Sequence, residues 1–147
     1  MSQLAPVRVL VVEDFVPFRQ FILSTLAAKP DIKIVGEVSN GFAAVNKSLE
    51  LQPDLILLDI GLPGLDGINA VRQIRNFAPD SKVIFLTQES SADIVQEALS
   101  LGARGYVLKI KAASELLRAL EAVLLGKTFV SSTLLEKTFV SSTMGSQ

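Results

Sequence analysis

Three kinds of reactive side chain stand where short apolar runs of this 147-residue chain give out. They are the acids Glu13, Asp14 and Asp59, the hydroxyl of Thr87 and the ammonium of Lys109. Three carboxylates brought to one place repel one another, so either one takes up a proton or a cation neutralises them. Oxygen donors without nitrogen or sulfur suit a hard divalent ion, Mg²⁺ above all. A lysine adds a point charge for an anion, and a threonine adds a hydroxyl that hydrogen-bonds one. Carboxylates, Mg²⁺, cation and hydroxyl together describe a phosphoryl-transfer site with Asp59 as in-line nucleophile. The chain contains no histidine and no cysteine. Imidazole and thiolate chemistry, disulfides and cysteine metal sites are therefore excluded, and the phosphoryl group must come from outside.

These residues span almost a hundred positions, so the elements between them must bring them together. VRVLVV (Val7–Val12), LILL (Leu55–Leu58), KVIFL (Lys82–Leu86) and GYVL (Gly105–Leu108) are apolar at successive positions, as in strands buried on both faces of a parallel sheet. KIVGEV (Lys33–Val38) alternates and reads as an edge strand. Phe18, Phe21, Ile22, Thr25 and Leu26 follow a helical period, with Pro17 allowed in the first turn. Asn40 caps a second helix through Leu51, and Gly67–Phe77 forms a third. Ser90 and Asp93 mark a capping-box-like start for a fourth, running to Gly102. A fifth follows Ser114 and stops at Gly126.

Five βα repeats imply an α/β fold with a doubly wound five-stranded parallel sheet. Parallel strands carry their carboxyl ends to one edge, where ligands of open α/β sheets bind. In the strand order 2-1-3-4-5, Glu13, Asp14 and Asp59 are neighbours.

Composition sets the outer bounds. Hydrophobic residues make up 49% and charged residues 20% of the chain, enough apolar side chain to offset the entropy of ordering one core. The net charge of -1, from 14 basic and 15 acidic residues, argues against direct nucleic-acid binding. No apolar run approaches membrane-spanning length, and Glu13 and Asp14 interrupt the N-terminal one before it has the length of a signal peptide, so a cytoplasmic location is expected.

VVEDF, LLDIGLPGLDGI, FLT and GYVLK, in that order, resemble the receiver domain of a bacterial two-component response regulator, over roughly residues 6 to 125. The resemblance implies a flavodoxin-like fold and makes Asp59 the phospho-acceptor, with Asp14 a direct Mg²⁺ ligand, Glu13 an acid acting largely through water, and the Gly61 carbonyl completing the metal site. It implies that Pro63 and Gly67 shape the loop after the acceptor, that Thr87 and Lys109 contact the phosphoryl group, and that Tyr106 turns inward when Thr87 moves. Gly61 and Glu89 fall at places that tune water access in the family. The implied partners are a histidine kinase or phosphotransfer protein and a second copy in a homodimer. The only catalysis implied is the domain's own phosphorylation and dephosphorylation.

Ile110 after Lys109, with GARGYVLK and AASELLRAL, resembles the subfamily whose output is a helix-turn-helix module. The chain then reads as the N-terminal part of a transcriptional regulator, the alternative being a stand-alone receiver that acts by protein contact or as a phosphate sink. A haloacid-dehalogenase-like phosphatase would need a second Asp where Gly61 stands, and a dinucleotide site would need glycines after the first strand.

Residues 1–126 read as the receiver and 127–147 as a linker-like tail. KTFVSST at Lys127–Thr133 returns unchanged at Lys137–Thr143. A duplication of linker explains this more simply than a binding motif. The competing expectation is that Phe129, Val130, Leu134, Leu135, Phe139 and Val140 dock on a neighbouring receiver.

Overall fold

The strands form where the apolar runs predict them, because the apolar residues of the central strands have a packed layer on either face. The computed structural model describes residues 5–131. In chain order the elements are β1 (Val7–Val12), α1 (Val16–Ala27), β2 (Ile32–Val38), α2 (Gly41–Leu51), β3 (Leu55–Leu58), α3 (Gly67–Phe77), β4 (Lys82–Thr87), α4 (Ala92–Ser100), β5 (Gly105–Leu108), a 3-10 turn (Lys109–Lys111), α5 (Ala112–Leu124) and β6 (Phe129–Val130). Alternate residues of the central strands face opposite layers. Leu10, Val12, Ile56, Leu58 and Phe85 pack with α2, α3 and α4. Val9, Val11, Leu55, Leu57 and Ile84 pack with α1 and α5. The strand order is β2-β1-β3-β4-β5-β6, and every pairing is parallel.

Helix boundaries follow local chemistry. Asn40 caps α2 as expected, its Oδ1 accepting from the Ala43 amide at 2.8 Å. Asp66 caps α3 in the same way through the Asn69 amide. The predicted start of α4 at Ser90 is not used. Ser91 is the cap residue and makes no side-chain cap bond, while the Glu89 carboxylate accepts from the Ser91 amide at 3.1 Å. Glu89 thus takes over from Ser90 as the side chain that fixes this turn. The helix itself ends at Ser100, two residues before Gly102. Helix α5 begins two residues before Ser114, because the 3-10 turn after Lys109 leads straight into it. Ser114 donates to the Lys111 carbonyl inside the first turn.

The sheet has one strand more than expected. Gly126 adopts a positive φ of 83°, its amide donates to the Val123 carbonyl at 3.0 Å, and the Lys127 amide donates to the Ala122 carbonyl at 2.9 Å. This is a Schellman turn, which turns the chain back toward the sheet at the end of α5. Phe129 and Val130 then lie parallel to β5, with Gly105 opposite Phe129 and Tyr106 opposite Val130. The first KTFVSST copy, expected as linker, therefore contributes a short edge strand. The second copy, with Leu134, Leu135, Phe139 and Val140, lies outside the described residues.

Candidate functional site

The four central strands deliver their terminal polar residues to the same edge. β1 runs into Glu13 and Asp14, β3 into Asp59, β4 ends on Thr87, and β5 runs into Lys109. Neighbouring β1, β3, β4 and β5 set these groups side by side. Carboxylate oxygens of Glu13, Asp14 and Asp59 all lie within 4.8 Å of one another. The Lys109 Nζ bridges two of the acids, 2.9 Å from Glu13 Oε1 and 2.9 Å from Asp59 Oδ2. Asp14 is exposed, whereas Glu13 and Asp59 are buried. A cleft of about 600 Å³ opens over the cluster, lined in part by Asp14, Phe18, Asp59, Thr87, Glu89 and Lys109.

Local backbone holds each group in place. The Phe15 amide donates to Glu13 Oε2 at 3.1 Å, and the Gly61 amide donates to Asp59 Oδ1 at 3.1 Å. Gly67 lies so close beneath the acceptor that a Cβ there would sit 2.2 Å from the Asp59 carbonyl oxygen. Its amide donates to the Ile60 carbonyl at 2.7 Å, while the Pro63 carbonyl accepts from the Leu65 amide at 2.9 Å, so the two residues shape the loop after Asp59.

Burial pushes the Glu13 carboxyl above its ordinary value, and the nearby Asp59 charge acts in the same direction. The bonds from Lys109 and the Phe15 amide offset part of this. For Lys109, burial acts downward, but the bonds and charges of Glu13 and Asp59 outweigh it and hold the ammonium above its usual range.

The residues fit a hard divalent cation. Glu13 Oε1 is fully buried, and the Lys109 ammonium, 2.9 Å away, is its ion-pair partner. A buried anionic oxygen with spare lone pairs, beside two further carboxylates, is an oxygen-only donor set.

The other expected residues fall into the same neighbourhood. Thr87 Oγ1 accepts from the Glu89 amide at 3.1 Å, and the Tyr106 hydroxyl donates to the Glu89 carbonyl at 2.8 Å. Tyr106, expected as an aromatic that turns inward, is fully buried here, its ring 6.1 Å from that of Phe85. Burial, with the Glu89 and Asp59 charges added, pushes its hydroxyl pKa far above the usual value. Two positioning contacts were not predicted. The Lys109 Nζ sits 4.8 Å from the Phe18 ring centroid, and Arg19 donates to the Glu13 carbonyl at 2.8 Å. Phe18 reads in the sequence only as a core position of α1, and no pattern in the sequence singles out Arg19.

Residues 9–121 match the family described as the response regulator receiver domain. The chain belongs to that family. This receiver is 37% identical over 126 residues to the transcriptional regulatory protein LiaR of Bacillus subtilis, covering 86% of this chain and 60% of that protein. It is 32% identical over 131 residues to the nitrate/nitrite response regulator protein NarL of Escherichia coli, covering 89% of this chain and 61% of that one. The receiver thus spans about 60% of the length of these curated relatives. A crystal structure of a LuxR-family two-component response regulator from Aurantimonas sp. superposes with a TM-score of 0.89 at 27% identity, covering 95% of this chain and 99% of the other. Among the described residues, no helix is long and apolar enough to cross a membrane.

Proposed function

We propose that Asp59 accepts a phosphoryl group from the phosphohistidine of a kinase or phosphotransfer partner, and that the receiver is the N-terminal part of a transcriptional regulator. The observation that carries this reading is the single lysine bridging a buried Glu and a buried Asp at the strand ends, under an open cleft. Asp59 Oδ attacks phosphorus, the O–P bond forms as the donor N–P bond breaks, and the donor nitrogen leaves with its electron pair and takes up a proton. Mg²⁺, held by Glu13, Asp14, Asp59 and the Gly61 carbonyl, would supply charge neutralisation for the acids and the incoming oxygens.

Lys109 then has a choice of anions. It releases part of its hold on Asp59 Oδ2 and pairs with a phosphoryl oxygen. Thr87, whose Oγ1 accepts from the Glu89 amide, keeps its own O–H to donate to the same group as it moves toward it. Because the Glu89 carbonyl holds the Tyr106 hydroxyl, a movement of Thr87 is passed to Tyr106 through one residue. Signalling is then a shift between two arrangements of the α4, β5 and α5 surface, read by a protein partner or a second copy.

Incubation with Mg²⁺ and a small acyl-phosphate donor should label the wild type and leave Asp59→Asn unlabelled. Equal labelling of both proteins would refute Asp59 as acceptor.

A further inference from the structure

Within the described residues, Phe129, Val130 and Ser131 of the first KTFVSST copy are bound as a ligand would be. Along β5, the Arg104 carbonyl accepts from the Phe129 amide at 2.9 Å and the Tyr106 carbonyl accepts from the Ser131 amide at 2.9 Å. Ser131 is fully buried. Its Oγ donates to Glu115 Oε1 at 2.5 Å and accepts from the Leu108 amide at 3.0 Å. Glu115 is a buried acid on α5, 5% exposed, and Ser131 is the partner that makes its burial tolerable. Phe129 packs into the layer of α1 and α5 beneath the Arg118 guanidinium, 5.7 Å from its ring, whereas Val130 packs into the opposite layer. The β5 edge thus selects an aromatic residue, an aliphatic residue and a hydroxyl in succession, with backbone pairing on either side.

The same three residues recur ten positions later as Phe139, Val140 and Ser141 inside an identical seven-residue repeat. Every side chain that the edge selects is therefore present twice in one chain. We propose that the β5 edge and the Glu115 carboxylate form a docking site for either repeat, so that the tail occupies two registers on its own receiver, ten residues apart.

Chain connectivity sets their balance. The first copy is reached through the four residues 125–128, and the second through the fourteen residues 125–138. Loop-closure entropy scaling with the three-halves power of length then favours the first copy about six-fold. The Gly126 turn, fitted to the short connection, adds to that preference. The minor register draws the C-terminal end ten residues nearer the sheet, on the order of 33 Å of extended chain. A same-chain ligand also outcompetes one from another molecule through its effective concentration. The two registers are therefore assigned to a single chain.

Arg104 and Thr128 precede the paired residues on neighbouring parallel strands, and both are exposed. The chain has no native cysteine. In the full chain, Arg104→Cys with Thr128→Cys reports the first register and Arg104→Cys with Thr138→Cys reports the second, read as disulfide yield under mild oxidation on non-reducing gels. We expect an intramolecular disulfide for both pairs, the Thr138 pair at no more than about one-sixth of the yield of the Thr128 pair. Adding Ser131→Ala should raise the Thr138 disulfide several-fold, and adding Ser141→Ala as well should cancel the rise. No Thr138 disulfide in any background would overturn the proposal, and so would a disulfide found only between molecules. Unfolding midpoints give a second reading. Ser131→Ala alone should cost less than Ser131→Ala with Ser141→Ala, since Ser141 substitutes for the lost hydroxyl; equal losses would overturn the proposal.

Discussion

Replacing Lys109 with Met keeps much of the apolar bulk of the side chain but removes the charge that Glu13 and Asp59 share and that lies over the Phe18 ring. The Lys109 side chain is 11% exposed, and the two carboxylates it bridges are 1% and 11% exposed. Removing one partner of such a buried pair costs roughly 3–5 kcal/mol, because the opposite charge stays behind uncompensated. The cleft admits water beside Asp14, so the lower end applies. The expected loss is about 3 kcal/mol in EDTA at pH 7, against a total stability of roughly 5–15 kcal/mol. For a domain of this size that lowers the melting temperature by about 10 °C.

Two reliefs should reverse it. Glu13 already titrates above its ordinary value of 4.5, and without Lys109 it shifts further upward. A carboxyl raised in the folded state contributes stability that is fully present below the unfolded pKa and lost as pH rises through the folded one. The deficit of Lys109→Met should therefore shrink as pH falls from 7 toward 5. A divalent cation should substitute for the ammonium, restoring about 1.4 kcal/mol at ten times its dissociation constant. Thermal unfolding followed by circular dichroism, at two pH values and with EDTA or MgCl₂, measures all three effects. A loss below about 1 kcal/mol in EDTA at pH 7, or a loss unmoved by acid and by Mg²⁺, would refute the bridging role.

Three further substitutions probe the same construction. Glu13→Gln should raise the melting temperature in EDTA, since burial makes the ionised form costly, while weakening Mg²⁺ affinity as followed by titration calorimetry. Gly67→Ala should lose about 2–3 kcal/mol in urea unfolding and slow acyl-phosphate labelling, because its Cβ would force the Asp59 backbone to move. Tyr106→Phe should cost about 1 kcal/mol by the same assay and leave labelling of Asp59 intact, because it removes one hydrogen bond to the Glu89 carbonyl and nothing from the acid cluster.

The site was legible because the core is sharply divided from it. A strand buried on both faces tolerates no charge, so the first polar residue after VRVLVV, LILL or GYVL marks the point where the chain leaves the core. That rule located Glu13, Asp59 and Lys109 without any knowledge of strand order. The order 2-1-3-4-5 was supposed as one that doubly wound sheets adopt, since hydrophobic period is blind to which strands pair. Asn40 was legible for a local reason, a cap that bonds three residues ahead. Glu89 capping the turn before α4 was not, because Ser90 offers the commoner cap chemistry at the adjacent position. The Ser131–Glu115 bond was harder still. A glutamate on an amphipathic helix reads as surface, and only the return of the chain after Gly126 brings the serine that makes its burial tolerable. A two-residue strand also has too little pattern to announce itself. β6 exists because the Schellman turn turns the chain back toward an open edge, which is a tertiary circumstance.

β5 joins the acid cluster to that edge with four residues. The Tyr106 side chain reaches Glu89 and hence Thr87, while its carbonyl holds the Ser131 amide. The Leu108 amide holds the Ser131 hydroxyl, and the next residue, Lys109, spans Glu13 and Asp59. Any displacement of Lys109 along the strand direction therefore moves an amide on which the tail depends. Tightening the tail restrains that same peptide. A coupling of this kind is reciprocal in free energy. If Asp59 gains a phosphoryl group as proposed, the resulting change in grip on the tail equals in free energy the change the tail makes in the stability of the charged form. In the proposed reading, the segment between receiver and output then reports phosphorylation through its own docking, over a path of one short strand and one buried serine.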